Sequence, residues 1–151
     1  MNSRLKSARP VQAEVDAILR FDFSAFVQKC FHELNPGTRF DAAWHIEAIA
    51  YLALQVMNGW VKRAIVNLPP RSLKSLILSI ALPAYILGKD PGRKIINVSY
   101  SQDLSDKLSL DFRRIVEANC RRLFPRFRLT RNATSEIATT LGGFRRPSAA
   151  S

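Results

Sequence analysis

Lys74 and Ser75 stand side by side, an ammonium suited to phosphate next to a hydroxyl suited to a hard divalent cation. They close the loop PPRSLKS, which separates the apolar run Ala64 to Leu68 from the longer apolar run Leu73 to Leu87. The first run has the length and β-branched content of a buried strand; the second is too long and leucine-rich for one and predicts a buried helix. In a strand, loop and helix of this order, backbone N–H groups at the helix start face an anion and the lysine reaches it, which is the layout of a phosphate loop. The candidate phosphate-contacting residues are Pro70, Arg71, Ser72, Leu73, Lys74 and Ser75, with Ser75 as the metal ligand.

A full phosphate loop has the form G-x-x-x-x-G-K-[ST], and here Leu68 and Leu73 stand where the two glycines would be. Glycine serves there because the backbone takes unusual φ values close to the phosphate. Leu73 must therefore adopt a different turn or accept strain of about 1–3 kcal/mol. With a nucleoside triphosphate bound, Lys74 would neutralise the β- and γ-phosphates, Ser75 would hold Mg²⁺, and Arg71 would lie over the charge developing on the γ-phosphate. The other reading of the same pair is a lysine at a helix start and a capping serine. Hydrolysis needs more, an acid at the end of an apolar strand to hold the metal. After Lys74 the acids are Asp90, Asp103, Asp106, Asp111, Glu117 and Glu136, and none follows four apolar residues.

The elements that must position this loop read in chain order. Residues 1–10 are polar and basic, a loose arm. Phe23, Phe26, Val27, Cys30, Phe31 and Leu34 recur at helical spacing, and Asn35-Pro36-Gly37 stops that helix. A second helix is expected with Asp41 as N-cap, an apolar stripe of Trp44, Ala48, Ile49, Leu52 and Val56, and Gly59 as the left-handed C′ residue. Trp44-His45 is either an adenine-flanking pair or, more plainly, a core tryptophan beside a surface histidine. Pro83 should kink or end the helix after the loop. Lys94 to Ser99 reads as a second strand, so strand, helix and strand make a right-handed βαβ unit with a parallel sheet.

An amphipathic helix follows, capped by Ser101 and Asp103 and bearing Leu104, Leu108, Phe112, Ile115 and Val116 at its apolar positions. Arg113, Arg114, Arg121, Arg122, Arg126, Arg128 and Arg131 then form the densest basic stretch, either a DNA-backbone surface or solvated arginines. Glu136 to Thr140 is the last strand-like piece, and RRPSAAS is a polar tail without a partner strand.

The 151 residues are about one domain, and 47% hydrophobic residues suffice for a core. With 23 Lys and Arg against 12 Asp and Glu, the net charge of +11 favours polyanionic partners. Cys30 and Cys120 have neither zinc-ligand nor disulfide-framework spacing, and the N-terminus lacks an apolar signal core. The longest apolar run, Leu76 to Leu87, is about half of the roughly 20 residues a membrane span needs and contains Pro83. These features predict a cytoplasmic protein with no membrane partner. Asn132-Ala133-Thr134 is a glycosylation sequon without a secretion signal, a chance match.

From about Phe21 to Phe144, and over AIVNLPPRSLKSLILSIALPAYILGKDPGRKIINVSYSQDLSDKLSLDFRRIVE, the chain resembles the N-terminal ATPase part of tailed-phage terminase large subunits. That family tolerates a P-P-R-x-x-K-S loop without its second glycine. The resemblance implies a P-loop NTPase-like α/β fold in which Lys74 and Ser75 are Walker A residues for ATP and Mg²⁺. It also makes Arg71 a cis-acting arginine and places Trp44 and His45 near the adenine. It further implies double-stranded phage DNA, a portal and a small terminase subunit as partners, in a bacterial host cytoplasm.

The expected organisation is a basic arm over 1–22, a helical lead-in over 23–59, an incomplete P-loop ATPase core over 60–144 and an unrelated tail over 145–151. A family member would continue into a Walker B strand, a coupling motif and a nuclease domain, so a truncated or frameshifted remnant with incomplete hydrolysis is the expectation. Two alternatives stand beside it. One is a non-catalytic basic protein that binds nucleic acid or a portal-like partner; the other is a helicase-like or kinase-like P-loop enzyme, against which the missing glycine and the PPR opening argue.

Overall fold

The computed structural model describes residues 4–150, with side chains from residue 11 onward. The loose arm expected over residues 1–10 therefore lies partly outside the described residues, and from Arg4 the backbone is helical. Helix α1 (Arg4–Phe21) runs into α2 (Phe23–Leu34) through Asp22, whose carboxylate accepts the Ala25 N–H at 3.1 Å as an N-cap. Phe23, Phe26, Val27, Cys30 and Phe31 are buried along α2, the stripe read from its spacing.

Helix α3 (Trp44–Met57) departs from expectation at its start and on its face. Its N-cap is Ala43, and Asp41 lies too early to cap it. The buried stripe is Ile46, Ile49, Ala50 and Ala53, while Trp44 is 81% exposed. At about 100° per residue, Trp44 and Ile46 point to nearly opposite sides, so only one of two competing stripes can face the core. The small Ala50 and Ala53 let α3 approach its neighbours, and that face wins. Gly59 takes φ +79° as expected; its N–H donates to the Val56 carbonyl at 3.1 Å and Trp60 donates to Gln55 at 3.0 Å, a Schellman closure.

The strand expected at Ala64 to Leu68 does not form. The segment has no regular secondary structure: Val66 and Leu68 pack on the core and Ile65 is 97% exposed, yet no strand pairs with it. Its residues favour β structure, but β structure exists only with a partner, and local sequence does not supply one. The helix after the loop opens at Lys74, passes through a π-helical stretch, Leu76–Ala81, and continues as α4 (Leu82–Lys89). Pro83 neither ends nor breaks it. The π turn, in which the Leu82 N–H donates to Ile77, sits immediately ahead of the proline and absorbs the register change that its missing N–H imposes.

The sheet is mixed. Strands β1 (Lys94–Ser99), β2 (Leu129–Ala133), β3 (Glu136–Thr139) and β4 (Phe144–Ala149) lie in the order β1-β4-β3-β2. β4 is parallel to β1, with Ile95 opposite Arg145, and antiparallel to β3. The parallel pair is thus β1 with β4, which replaces the βαβ unit expected from 64–68 and 94–99. Residues 145–149 of the expected tail lie in the second strand of the sheet. Phe144 and Ala150 donate their N–H groups to Arg93 and Ser99 at 3.0 and 2.8 Å, so even-numbered amides of β4 face β1. Pro147 is odd-numbered; its missing donor faces the β3 side beyond the end of β3 at Glu136, where no acceptor goes unserved.

Helix α5 (Gln102–Ile115) packs on β1 and β4, its N-cap Ser101 accepting the Leu104 N–H at 3.3 Å as predicted. It extends through a π turn, Val116–Cys120, and a last helical turn, Arg121–Leu123. The deepest packing joins Phe23, Phe26, Tyr85 and Phe124, with ring centroids 5.1–6.2 Å apart. The Tyr85 hydroxyl donates to the Arg20 carbonyl at 2.8 Å, tying α1 to α4.

Burial fixes the alkaline limit of this core. It pushes the Tyr85 hydroxyl and the Cys120 thiol up to about 12 and raises Cys30 as well, whereas it pushes the Arg145 guanidinium down to about 10. The folded state keeps protons on the first three that the unfolded chain releases, so their contribution is intact below about pH 9 and is lost as pH climbs toward 12. Arg145 acts oppositely, its burial cost easing above pH 10. Three groups outweigh one. Urea midpoints measured from pH 8 to 11 are expected to fall steadily, and a flat profile would contradict this balance.

Candidate functional site

The loop PPRSLKS is where the backbone is strained. Arg71 takes φ +64° and Leu73 φ +58°, the only non-glycine residues with positive φ among those described. Of the two outcomes open to Leu73, the structure adopts the strained one, left-handed backbone at the position where a phosphate loop carries glycine. Each such residue costs about 1–2 kcal/mol, and the surroundings must over-determine it. Leu73 is held from both sides: its side chain packs against the core and its carbonyl accepts the Ile77 N–H at 2.9 Å. That bond belongs to the helix, so the N–H groups just before Ile77 have no helical acceptor.

Residues Leu68 through Leu76 wall a cleft of about 640 Å³, and Tyr100 forms its other side. Pro70, Arg71, Ser72, Leu73, Lys74 and Ser75, contiguous in sequence, all line this cleft. Arg71 and Ser75 are exposed, Lys74 is half-buried, and Lys74 makes no ion pair with any described residue. The Ser72 hydroxyl is shielded from solvent and has no hydrogen-bond partner. A second cavity of about 500 Å³ shares Ser75 and Leu76 with the first and is closed by Lys107, Leu108 and Asp111 of α5. No group of three His, Cys, Asp or Glu side chains converges as a metal site among the described residues.

Trp44 and His45 do not line this cleft. They stack edge to face, centroids 6.2 Å apart, with Trp44 turned to solvent. The aromatic that reaches the cleft is Tyr100, 82% exposed, which sequence reasoning passed over. The available signal was its place immediately after β1, since open α/β sheets hold ligands beyond the carboxyl ends of their strands.

The strain at Leu73 is open to test by comparing two truncations. Leu73→Ala loses packing and keeps the left-handed residue, whereas Leu73→Gly loses the same packing and relieves it. The glycine variant is expected to be more stable than the alanine variant by about 1 kcal/mol in urea denaturation, reversing their usual order. Equal stabilities would show that Leu73 is not strained.

The arginine stretch is partly consumed by acids. Arg113 pairs with Glu117 at 2.9 Å, Arg131 with Glu136 at 3.8 Å, and Arg122 with Asp16. Hydrogen bonds from Asn132 and then Arg113 hold the Glu117 carboxyl below its ordinary range. The outer groove of α5 mixes Asp103, Asp106, Asp111 and Glu117 with Lys107, Arg113 and Arg114. Arg114, Arg121 and Arg126 make no ion pair with any described residue. No helix among the described residues is long and apolar enough to cross a membrane. No family model, curated protein or solved structure matches the chain.

Proposed function

We propose that the cleft is a nucleoside-triphosphate site of the P-loop kind and that the chain is a terminase-like ATP-binding module. The observation that carries this is the left-handed Leu73 immediately before Lys74-Ser75, at the mouth of a cleft large enough for a nucleotide. Strain of this kind concentrates at ligand sites. The donors also suit the ligand: Lys74 has no competing carboxylate, and the Ser72 and Ser75 hydroxyls are hard oxygen ligands of the type Mg²⁺ takes alongside phosphate and water. Lys74 holds the phosphates, Ser75 the metal, and Arg71, exposed at the rim, covers the terminal phosphate. Mg²⁺, held by Ser75 together with the phosphates, would supply neutralising positive charge to them. Tyr100 offers the base a stacking face in place of Trp44.

The support of the loop differs from that of a P-loop: residues 64–68 reach it as an unpaired segment and the parallel pair of the sheet lies elsewhere, so the loop hangs on the helix rather than on the sheet. Binding of ATP without efficient turnover is the activity proposed, because the neighbouring acid, Asp111, comes from a helix and lines the adjoining cavity and the outer groove of α5 but not the cleft. Double-stranded DNA, a portal and a small terminase subunit are the partners this reading proposes. The unpaired Arg114, Arg121 and Arg126 favour a second reading, a basic nucleic-acid-binding protein. Calorimetric titration with Mg·ATP and, separately, with duplex DNA distinguishes them. Saturable heat with Mg·ATP is expected; heat with DNA alone, falling steeply with salt, would favour the second.

A further inference from the structure

A strand between two others is ordinarily the best anchored of a sheet, because its inward side chains enter the core. β4 is the reverse. Its inward positions are Arg145, Pro147 and Ala149, none of them a large apolar side chain. Arg145 is 1% exposed, set opposite Ile95 and Ile137 in the two neighbouring strands. It donates to the Ser109 hydroxyl at 2.7 Å and lies 4.8 Å from the Phe112 ring. Its Nε and Nη2 have no partner, and no carboxylate pairs with it among the described residues. The neighbouring Asn97 Nδ2 on β1 is also buried and unpartnered. A guanidinium stays charged at neutral pH, so a charge taken out of water here is repaid by one neutral hydrogen bond and one aromatic face. What secures β4 instead is its backbone ladder, a long hydrogen bond of 3.5 Å from the Ser105 hydroxyl to the Ser148 carbonyl, and the ion pair of the exposed Arg146 with the half-buried Glu136, a pair whose arginine end stands in solvent and holds weakly.

We infer that β4 is a conditional strand: it leaves the sheet as a local unit before the rest of the fold opens, returning Arg145 to water and uncovering the facing edges of β1 and β3. In place it completes the sheet over α5; released, it leaves two strand edges flanking the Ser105–Ser109 face of that helix. Opening from the low-stability end of a fold is the common pattern for elements that move.

Residue-resolved hydrogen exchange on the full chain tests this. The Phe144 and Ala150 amides, which donate to β1, are expected to exchange at least tenfold faster than those of Phe112 and Ile115 in α5. Arg145→Met, which keeps length and removes charge, is expected to slow the β4 amides at least tenfold and to raise the melting temperature. Fraying from a chain end would be equal in both proteins, so the methionine arm isolates the charge. Ser109→Ala, which strips the guanidinium of its hydrogen bond, should speed β4 exchange further. Wild-type β4 amides as protected as those of α5, or β4 rates unchanged in Arg145→Met, or a methionine variant that fails to fold, would each overturn the inference.

Discussion

Lys74→Ala is expected to weaken Mg·ATP binding about 100-fold while leaving the melting temperature within about 2 °C. The size follows from the interaction removed: a charge-assisted bond from an ammonium to phosphate is worth about 2–3 kcal/mol, and 1.4 kcal/mol is tenfold in affinity. The fold should tolerate the change because Lys74 is half-buried and pairs with no described acid. Arg71→Ala should act less on binding, since Arg71 stands exposed at the rim and a surface charge is screened by salt. Fluorescence titration with a nucleotide analogue reads both. Equal and negligible binding by wild type and Lys74→Ala would remove the phosphate-loop reading; equal and tight binding would move the site away from this cleft.

How far the site was legible depends on what each residue answers to. The helix that opens at Lys74 was readable because composition and spacing along one segment decide it. The conformation of Leu73 was readable as a dilemma, and packing resolved it: a leucine that reaches the core can be held left-handed when its carbonyl also starts a helix. Ala64 to Leu68 was misread because pairing is not a property of five residues. RRPSAAS was misread for the same reason from the other side, a polar, proline-bearing segment of which residues 145–149 became a strand because β1 and β3 both had an edge to offer. The α3 face turned on a choice between two stripes sharing Ile49, and only the neighbours' shapes decide it. Arg145 had no local signal, since nothing in its own segment announces burial. The conformational freedom of glycine, by contrast, was readable only in part, as Gly142 and Gly143 show.

Gly143→Ala should destabilise the fold by about 3 kcal/mol, a fall of roughly 10 °C in melting temperature for a chain of this size. A Cβ at Gly143 would lie 2.2 Å from the Pro91 carbonyl oxygen and 2.6 Å from that of Arg93. Both are backbone atoms and cannot swing aside like a side chain. They are also fixed: the Gly143 N–H donates to the Pro91 carbonyl at 3.0 Å, and the Thr139 hydroxyl donates to that same carbonyl. Relief therefore requires β1 and β4 to separate where their parallel ladder begins, with Lys94 opposite Phe144. Gly142 supplies the control. It has φ +81° but nothing within 4 Å of a Cβ, so Gly142→Ala carries only the left-handed penalty of about 1 kcal/mol. Thermal melts of the two variants should thus differ clearly, Gly143→Ala being the lower. Similar losses would mean that the turn conformation, and not the close approach of the two strands, sets the cost at this junction.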